Sequence, residues 1–325
     1  MPPPARPGAP PAVFARALRR ARRIAISTHV HPDPDAIGSE LALLHILESP
    51  ECEVVVINED PPPRYLSFLP GISRILAATP PPPGPFDTFL AVDAPDAHRL
   101  GTAAAILRRA RSVLNLDHHH TNSGFGRHRW VDPSASSVGE MVLRLMTPLG
   151  ARLTPEIATC LFAAVLTDTG RFTNANTSPE SLDAAARLVA AGADPHVIAC
   201  RIYRNIPLGH LRLTARVALN TRVKNRVAWS FLRLADFRRE KADPRDLMDL
   251  VDIPRMLAGI DAAVFFCEIA SGLFKVSFRS LSGRDVSVSA RRFGGGGHRL
   301  AAGCQIRGAL PNTVRRVITA LGGPS

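Results

Sequence analysis

Along the first two thirds of the chain, segments with the apolar pattern of strands alternate with segments that have the apolar spacing of helices. Short apolar runs with the composition of buried strands lie at 23–28, 52–57, 88–92 and 112–116. Stretches with helical apolar spacing lie at 13–22, 36–47, 137–146, 154–166, 180–191 and 198–219. This alternation predicts an α/β fold with a mainly parallel sheet, whose functional site lies at the carboxyl ends of the strands.

The pattern changes near residue 200, where we place a domain boundary. Apolar runs at 227–234, 262–269 and 273–279 predict strands of a second, smaller α/β domain. We expect an active-site cleft between the two domains. The expected segments are a disordered proline-rich arm over 1–12, a first domain over 13–195, a helical connector over 196–220 and a second domain over 221–325.

The composition is that of a globular protein. With 325 residues, of which 46% are hydrophobic and 21% charged, the chain is long enough for two domains with cores of their own. It contains no apolar run near the ~18 residues of a membrane-spanning helix, so we expect no membrane association. The five cysteines are odd in number and lack paired metal-ligand spacing, which favours reduced thiols in a cytoplasmic protein.

The chain is strongly basic. Its net charge is +12, and 37 of its 40 basic residues are arginine. A compositional bias of the genome is one explanation. The other is attraction of a polyanion, because guanidinium groups pair well with phosphate. The charge agrees with a phosphate substrate but does not decide between the two.

The segment His29-Val30-His31-Pro32-Asp33-Pro34-Asp35 carries the first candidate site residues. Its prolines favour extended conformations at the residues before them, His31 and Asp33. In an extended segment Asp33 and Asp35 point to the same side, and we expect Asp35 to cap the helix that begins near Ala36. A turn rich in Asp and Pro with a chance histidine is the simpler alternative.

Further acidic and imidazole residues follow later apolar segments. Asp93 follows the predicted strand 88–92, the triplet Asp117-His118-His119 follows the strand 112–116, and Asp168 follows an apolar helix. Each carboxylate alone is explained as a turn or cap residue. Together they match the ligands of a two-metal hydrolytic site, in which metal-activated water attacks phosphorus.

Four separated motifs resemble the DHH phosphoesterase family. They are 29–39, Val92-Asp93 with Arg99-Leu100-Gly101, Asp117-His118-His119 with Asn122, and Thr167-Asp168-Thr169-Gly170. Their order and spacing are similar to those of the family over nearly the whole chain after the proline-rich arm. One departure is Pro34, which stands where the family usually has glycine. If the backbone there needs a glycine-only conformation, the second metal binds weakly.

The resemblance implies two metal sites that share one carboxylate. The residues of the first site are His29, Asp33 and Asp93. The residues of the second site are Asp35, Asp93, His118 and Asp168. Two Mn²⁺ ions are expected, with Mg²⁺ or Co²⁺ as alternatives, because the ligands are hard oxygens and imidazoles without thiolate.

The same resemblance implies roles for three further residues of the first domain. His119 would contact the scissile phosphate or help the leaving oxygen gain a proton. Asp117 would orient the histidines from outside the metal sites. Arg99 would bind substrate.

Four consecutive glycines mark the second domain: Gly294, Gly295, Gly296 and Gly297. Without side chains, their N–H groups can converge on a phosphate or carboxylate, although a flexible turn is an equal explanation. The segments 276–280, 294–298 and 301–303 resemble the DHH-associated C-terminal domain. That resemblance implies a substrate-binding domain in which Arg279, the four glycines and His298 hold the terminal nucleotide.

The short two-domain branch of the family degrades very short oligonucleotides and dephosphorylates 3′-phosphoadenosine 5′-phosphate. The resemblance therefore implies a Mn²⁺-dependent phosphodiesterase and exonuclease that converts short RNA or DNA oligonucleotides and linear dinucleotides to nucleoside 5′-monophosphates. The main alternative is a cyclic-dinucleotide phosphodiesterase. An inorganic pyrophosphatase is disfavoured by the glycine run, and a non-catalytic nucleotide-binding regulator would follow from loss of the second metal site. The oligomeric state is open, with a homodimer among the options.

Overall fold

The computed structural model describes residues 8–243, 250–297 and 299–322, and the chain divides into two compact units between Asn205 and Ile206. The arm predicted over 1–12 lies outside the described residues as far as residue 7. Among the helices that are described, none combines the length and the apolar character that a membrane crossing requires.

The first unit is built on a parallel sheet. Its strands within the described residues are β1 (Arg23–Ser27), β2 (Glu53–Asn58), β3 (Ile75–Ala77), β4 (Thr88–Val92), β5 (Ser112–Asp117) and β6 (His128–Val131). They lie in the order β3-β2-β1-β4-β5-β6, and each neighbouring pair is parallel. Every residue of β4 is buried, as expected for a central strand covered on both faces. The predicted α/β fold with a mainly parallel sheet is confirmed.

The α-helices described in this unit are α1 (Ala12–Arg20), α2 (Pro34–Leu47), α3 (Ala104–Leu107), α4 (Val138–Leu149), α5 (Pro155–Asp168), α6 (Pro179–Ala190) and α7 (Pro195–Tyr203). Five of these seven, α2 and α4 to α7, begin at an Asp, Ser or Thr whose side chain caps the helix. Ser137 caps α4 and Thr154 caps α5, each by accepting a backbone N–H of the first turn. Helices α2 and α5 pack closely because Gly38 lies against the Cys160 carbonyl, where a Cβ atom would collide.

The second unit contains a mixed sheet. Its strands are β7 (Arg222–Lys224), β8 (Val227–Leu232), β9 (Ala262–Ala270), β10 (Leu273–Ser280), β11 (Gly296–Gly297) and β12 (Ala301–Arg307). They lie in the order β11-β12-β10-β9-β8-β7, with β8 and β9 parallel and the other pairs antiparallel. The helices are α8 (Leu208–Asn220), α9 (Leu234–Glu240), α10 (Asp252–Arg255), α11 (Val286–Arg291) and α12 (Leu310–Gly322). The predicted second α/β domain is confirmed.

Two differences from the predicted elements have clear causes. The single helical stretch predicted over 198–219 is two helices, because Pro207 cannot continue a helix and instead forms the N-cap of α8. Strands β3, β6, β7, β11 and β12 were not predicted, and the longest of them is β12. Its buried positions alternate with exposed ones, but several of them are small residues, so the alternation is weak in the sequence.

Candidate metal centre

Three neighbouring strands lead to candidate site residues. His29 lies just beyond β1, Asp93 follows β4 and Asp117 is the last residue of β5. Strands β1, β4 and β5 are adjacent and parallel, so their carboxyl ends lie at one edge of the sheet, where sites of α/β proteins form. The sheet therefore places these side chains at a single edge.

His29, Asp33 and Asp93 form a first group of candidate metal ligands. The Nε2 atom of His29 lies 3.5 Å from Asp93 Oδ2 and 3.9 Å from Asp33 Oδ2. Its Nδ1 atom lies 2.9 Å from the Val30 carbonyl, which can only accept. A proton on Nδ1 satisfies this shorter contact and leaves the Nε2 lone pair facing the two carboxylates. Burial lowers the pKa of His29, which favours the neutral imidazole that a metal binds.

Asp35, His118 and Asp168 form a second group. His118 Nε2 lies 3.8 Å from Asp35 Oδ2 and 3.7 Å from Asp168 Oδ2. Its Nδ1 atom faces the Ala135 carbonyl at 3.2 Å, so in the neutral ring that a metal binds the lone pair lies on Nε2. Although burial lowers the pKa of His118, the surrounding Asp168, Asp93 and Asp35 raise it to about 10.

Asp93 connects the two groups. Its Oδ2 atom faces His29, while its Oδ1 atom lies 3.6 Å from His118 Nε2. The side chain is buried, and Oδ1 has no hydrogen-bond partner among the described residues. Burial, together with Asp35 and Asp33, raises the pKa of Asp93 well above its usual range. The negative charges of Asp33 and Asp35 therefore repel the buried Asp93 carboxylate, and bound cations would offset this repulsion.

The donor atoms fit the metal ions that the sequence implies. Ligand atoms that share one ion at ~2.1 Å must lie within ~4 Å of one another, and the distances from the two histidine Nε2 atoms to the surrounding carboxylate oxygens are 3.5–3.9 Å. Both groups offer carboxylate oxygens and imidazole nitrogens without thiolate, which is a donor set for Mn²⁺ and related hard cations.

The first motif differs from its prediction at two positions. Asp33, in an extended conformation, is the N-cap of α2 and accepts from Ala36 N at 3.0 Å. The expectation that Asp35 caps this helix is wrong, because Asp35 already lies in the first turn. His31 is not extended but left-handed, with φ of 55°, and its N–H donates to Asp60 Oδ2 at 2.7 Å. A distant carboxylate thus overrides the local preference that Pro32 imposes.

Pro34 fits its position without strain. It is the first residue of α2, directly after the N-cap. Proline is favoured there, because its fixed φ is helical and its missing N–H has no partner within the helix. The backbone therefore does not need glycine between Asp33 and Asp35.

Asp35 is anchored by a different helix. Its carboxylate accepts from Val138 N at 2.8 Å and from Gly139 N at 2.9 Å, at the N-terminus of α4. Burial raises the pKa of Asp35, while His118 and these two N–H groups oppose the rise. The sequence analysis did not predict these two N–H donors. The available signal was Ser137, a typical N-cap residue that indicates a helix N-terminus at this position.

His119 is held by Asp117 and, together with Asp93 and His118, forms a third possible group of metal ligands. Its Nδ1 atom lies 2.7 Å from Asp117 Oδ1 and 3.5 Å from Asp93 Oδ1. The shorter contact is a hydrogen bond to a group that can only accept, so Nδ1 carries the proton. Burial would raise the pKa of Asp117, but the His119 hydrogen bond and the charges of His119 and His118 outweigh it and lower the pKa.

Arg99 lies at the edge of the first group. Its Nη2 atom is 3.4 Å from His29 Nδ1, and its backbone carbonyl accepts from Val30 N at 2.7 Å. The surrounding turn is fixed by Asp96, which accepts from Arg99 N. The segment after β4 is therefore tied to the segment after β1.

The glycine run of the second unit is more ordered than a flexible turn. Gly296 and Gly297 form β11, which pairs with β12. The expected convergence of all four N–H groups on one anion is wrong for Gly294 and Gly295, whose N–H groups donate to the carbonyls of 291 and 290. Arg279 lies near the end of β10, between β9 and β12. His298 lies outside the described residues.

Comparison with known proteins places these features in a family. Residues 23–165 match the N-terminal domain of the DHH family, and residues 224–322 match the DHHA1 domain. The "Bifunctional oligoribonuclease and PAP phosphatase NrnA" of Thermus thermophilus is 36% identical over 303 residues, covering 92% of this chain and 89% of that protein. The chain belongs to the DHH family. This DHH protein is a phosphoesterase, and therefore a hydrolase, as the motifs predicted.

Two other similar proteins extend the comparison. An exopolyphosphatase-related protein from Bacteroides fragilis has a crystal structure that matches with a TM-score of 0.86 and 28% identity, covering 95% of this chain and 94% of that one. The "Cyclic-di-AMP phosphodiesterase GdpP" of Geobacillus thermodenitrificans is 27% identical over 324 residues. That match covers 90% of this DHH chain and 47% of the relative. DHH phosphoesterases depend on metal ions, and the Asp and His groups described above are suited to hold them.

Proposed function

We propose that the protein is a Mn²⁺-dependent phosphodiesterase that removes nucleoside 5′-monophosphates from very short RNA or DNA oligonucleotides and linear dinucleotides. A second proposed activity is removal of the 3′-phosphate from 3′-phosphoadenosine 5′-phosphate. The observation that carries the proposal is Asp93, a buried carboxylate whose two oxygens face two separate groups of ligands. The relative from Thermus thermophilus, named for both activities, supports the choice of substrates.

The proposed metal sites share Asp93. His29 and Asp33 complete one site, and Asp35, His118 and Asp168 complete the other. When bound, the ions supply Lewis acidity, which lowers the pKa of a water molecule and neutralises charge on the phosphoryl oxygens. Mn²⁺ suits the mixture of carboxylates and imidazoles, with Mg²⁺ and Co²⁺ as the alternatives to be compared.

The chain's own residues then orient the substrate and move protons. In the proposed reaction the water oxygen bonds to phosphorus, the bond from phosphorus to the leaving oxygen breaks, and that oxygen gains a proton. His119 contacts the scissile phosphate or assists this protonation, and Asp117 keeps its ring oriented through the 2.7 Å hydrogen bond. Arg99, the residues 294–297, Arg279 and His298 are proposed to bind the substrate.

A substrate panel tests this function. The protein with Mn²⁺ is incubated with a linear dinucleotide, an RNA pentamer, a cyclic dinucleotide and 3′-phosphoadenosine 5′-phosphate, and a chelator is added in parallel. We expect turnover of the linear dinucleotide and the pentamer to nucleoside 5′-monophosphates, and loss of all turnover with the chelator. No Mn²⁺-dependent turnover of any linear substrate would sink the proposal.

A cyclic-dinucleotide phosphodiesterase is the second candidate. The similarity to the cyclic-di-AMP phosphodiesterase of Geobacillus thermodenitrificans favours it. The same panel separates the two, because consumption of the cyclic species alone would reverse their order. The regulator alternative assumed that Pro34 spoils the second metal site, and the ordinary helical position of Pro34 removes that reason.

Location and assembly are also proposals. We place the protein in the cytoplasm, because all five cysteines are free and four of them are buried, as suits a reducing compartment. Light scattering of the purified protein would decide between a monomer and the homodimer that the sequence left open.

A further inference from the structure

Asn115 is a buried amide in an apolar strand. It belongs to β5, and its side chain is fully buried. Its Nδ2 atom donates to the Ala94 carbonyl at 3.0 Å, and its Oδ1 atom accepts from Asn122 Nδ2 at 2.8 Å. Ala94 directly follows Asp93, the carboxylate shared by the two ligand groups. An amide in such a place is tolerated only when its polar atoms are satisfied, so the position is specialised.

Asn122 continues the hydrogen-bonded chain toward His119. Besides Asn115, its Nδ2 atom donates to Asp117 Oδ2 at 2.6 Å. The other oxygen of Asp117 accepts from His119 Nδ1 at 2.7 Å. One side-chain network therefore runs from the backbone beside Asp93, through two amides and a carboxylate, to an imidazole.

The orientation of each amide is fixed from outside the network. Gly124 N donates to Asn122 Oδ1 at 2.7 Å, so the nitrogen of Asn122 must face Asn115 and Asp117. The Ala94 carbonyl can only accept, so the nitrogen of Asn115 must face it. Neither amide can flip without losing hydrogen bonds. Both oxygens of Asp117 are then engaged, and His119 is held with its proton on Nδ1.

Holding the loops together does not require these amides. The backbone already joins the two segments, since Asp93 N donates to Leu116 O at 2.9 Å and Ser123 N donates to Pro95 O at 2.8 Å. The specific contribution of the amides is the orientation of the Asp117 carboxylate and, through it, of the His119 ring.

We propose that Asn115 and Asn122 are positioning residues that orient His119 through Asp117. The proposal rests on the proposed function, because it assigns His119 the role of acting on the substrate. The two asparagines hydrogen-bond to the Ala94 carbonyl, Gly124 N and Asp117, and through Asp117 the network reaches His119. Because His119, with Asp93 and His118, also forms a possible group of metal ligands, metal content is measured alongside activity.

A double-mutant cycle tests the proposal. Asn122→Ala is compared with wild type, and Asn122→Ala/His119→Ala with His119→Ala, using the linear dinucleotide and Mn²⁺. We expect Asn122→Ala to lower kcat ~10–100-fold with KM and metal content nearly unchanged, and to have no further effect once His119 is absent. An equal fall of kcat in both backgrounds, or a fall that follows loss of metal, would overturn the proposal.

Two further measurements keep the test sharp. Asn220→Ala is the matched control, because it also removes an amide that donates to a backbone carbonyl, Phe231 O at 3.1 Å, but lies in the second unit. If wild type hydrolyses none of the substrates, the proposed function fails. The positioning of His119 can then still be tested by ¹⁵N NMR spectra of the imidazole rings. We expect the His119 Nδ1–H signal to shift or vanish in Asn122→Ala, and an unchanged signal would refute the proposal.

Discussion

Asp35 and Gly139, separated by 104 positions in the sequence, are joined by a 2.9 Å hydrogen bond from the Gly139 N–H to the Asp35 carboxylate. The bond places a candidate ligand of the second metal site at the positive end of α4. The N-terminal dipole of a helix stabilises a carboxylate, so it partly offsets the cost of burying Asp35 beside Asp93. The second site therefore depends on the packing of α2, α4 and α5.

Gly139→Ala tests that dependence. A Cβ atom at this position would lie 2.5 Å from Ala164 Cβ and 3.5 Å from Asp35 Oδ1, so α4 must move. We expect a loss of about 1–3 kcal/mol in the free energy of unfolding and weaker binding of the second Mn²⁺, measured by denaturant unfolding and calorimetric titration. Gly322→Ala, whose Cβ would meet only Asn225 Nδ2 at 3.9 Å, is the control. Equal behaviour of the two variants would contradict the account.

Asp33 has a structural and a proposed metal-binding role, which two substitutions separate. Asn is as good an N-cap as Asp, whereas Ala costs about 1 kcal/mol. We expect Asp33→Asn to keep the stability of the metal-free protein but lose metal at the first site, and Asp33→Ala to lose both. Ser178→Ala, which removes the N-cap of α6, should cost stability and leave the metal content intact. Full metal content in Asp33→Asn would exclude Asp33 as a ligand.

Pro34→Gly tests whether the departure from the family pattern affects the metals. Because Pro34 already fits the first helical position, glycine gains nothing in the folded state and adds freedom to the unfolded chain. We expect a loss of about 0.4–1 kcal/mol in stability and an unchanged affinity for Mn²⁺. Tighter Mn²⁺ binding by the variant would show that proline distorts the site.

Glu40 makes the stability of the metal-free protein depend on pH. Burial raises its pKa well above the ordinary value of 4.5, despite the hydrogen bond from Asn58. Above pH 4.5 the folded state keeps a proton that the unfolded state has lost, so this contribution to stability falls as pH rises toward the raised pKa.

Glu40→Gln removes that titration but keeps an acceptor for Asn58. The melting temperatures of wild type and Glu40→Gln are measured in chelator from acidic to weakly basic pH. We expect the melting temperature of Glu40→Gln to fall less than that of wild type over this range. Each kcal/mol lost from the free energy of unfolding corresponds to a fall of ~2–4 °C. Glu51→Gln changes an exposed acid and should follow wild type. If the melting temperatures of wild type and Glu40→Gln depended on pH in the same way, the raised pKa of the buried Glu40 carboxyl would be refuted.

The sequence predicted the part of the site that follows from local pattern. His29, Asp93 and Asp117 each follow or end an apolar strand, and the carboxyl ends of neighbouring parallel strands meet at one edge. Their proximity is therefore readable from the positions of the strands alone. Four strands of the first sheet, β1, β2, β4 and β5, were predicted for the same reason, whereas the short outer strands β3 and β6 were not.

The remainder depends on contacts between distant segments. Asp60 holds His31 in a left-handed conformation that the local Pro32 disfavours. The donors to Asp35 come from α4, and Gly296 and Gly297 form an edge strand by pairing with β12. None of these contacts leaves a periodic signal in the sequence, because each is fixed by tertiary packing.

Metal content of wild type and Asp93→Asn, measured by elemental analysis after dialysis against Mn²⁺, tests the central claim most directly. If Asp93 is shared by two sites, wild type holds about two Mn²⁺ ions per chain, and the substitution weakens both sites and abolishes hydrolysis of the linear dinucleotide. An Asp93→Asn protein that still holds both ions, or an active wild-type enzyme that holds only one, would contradict the account.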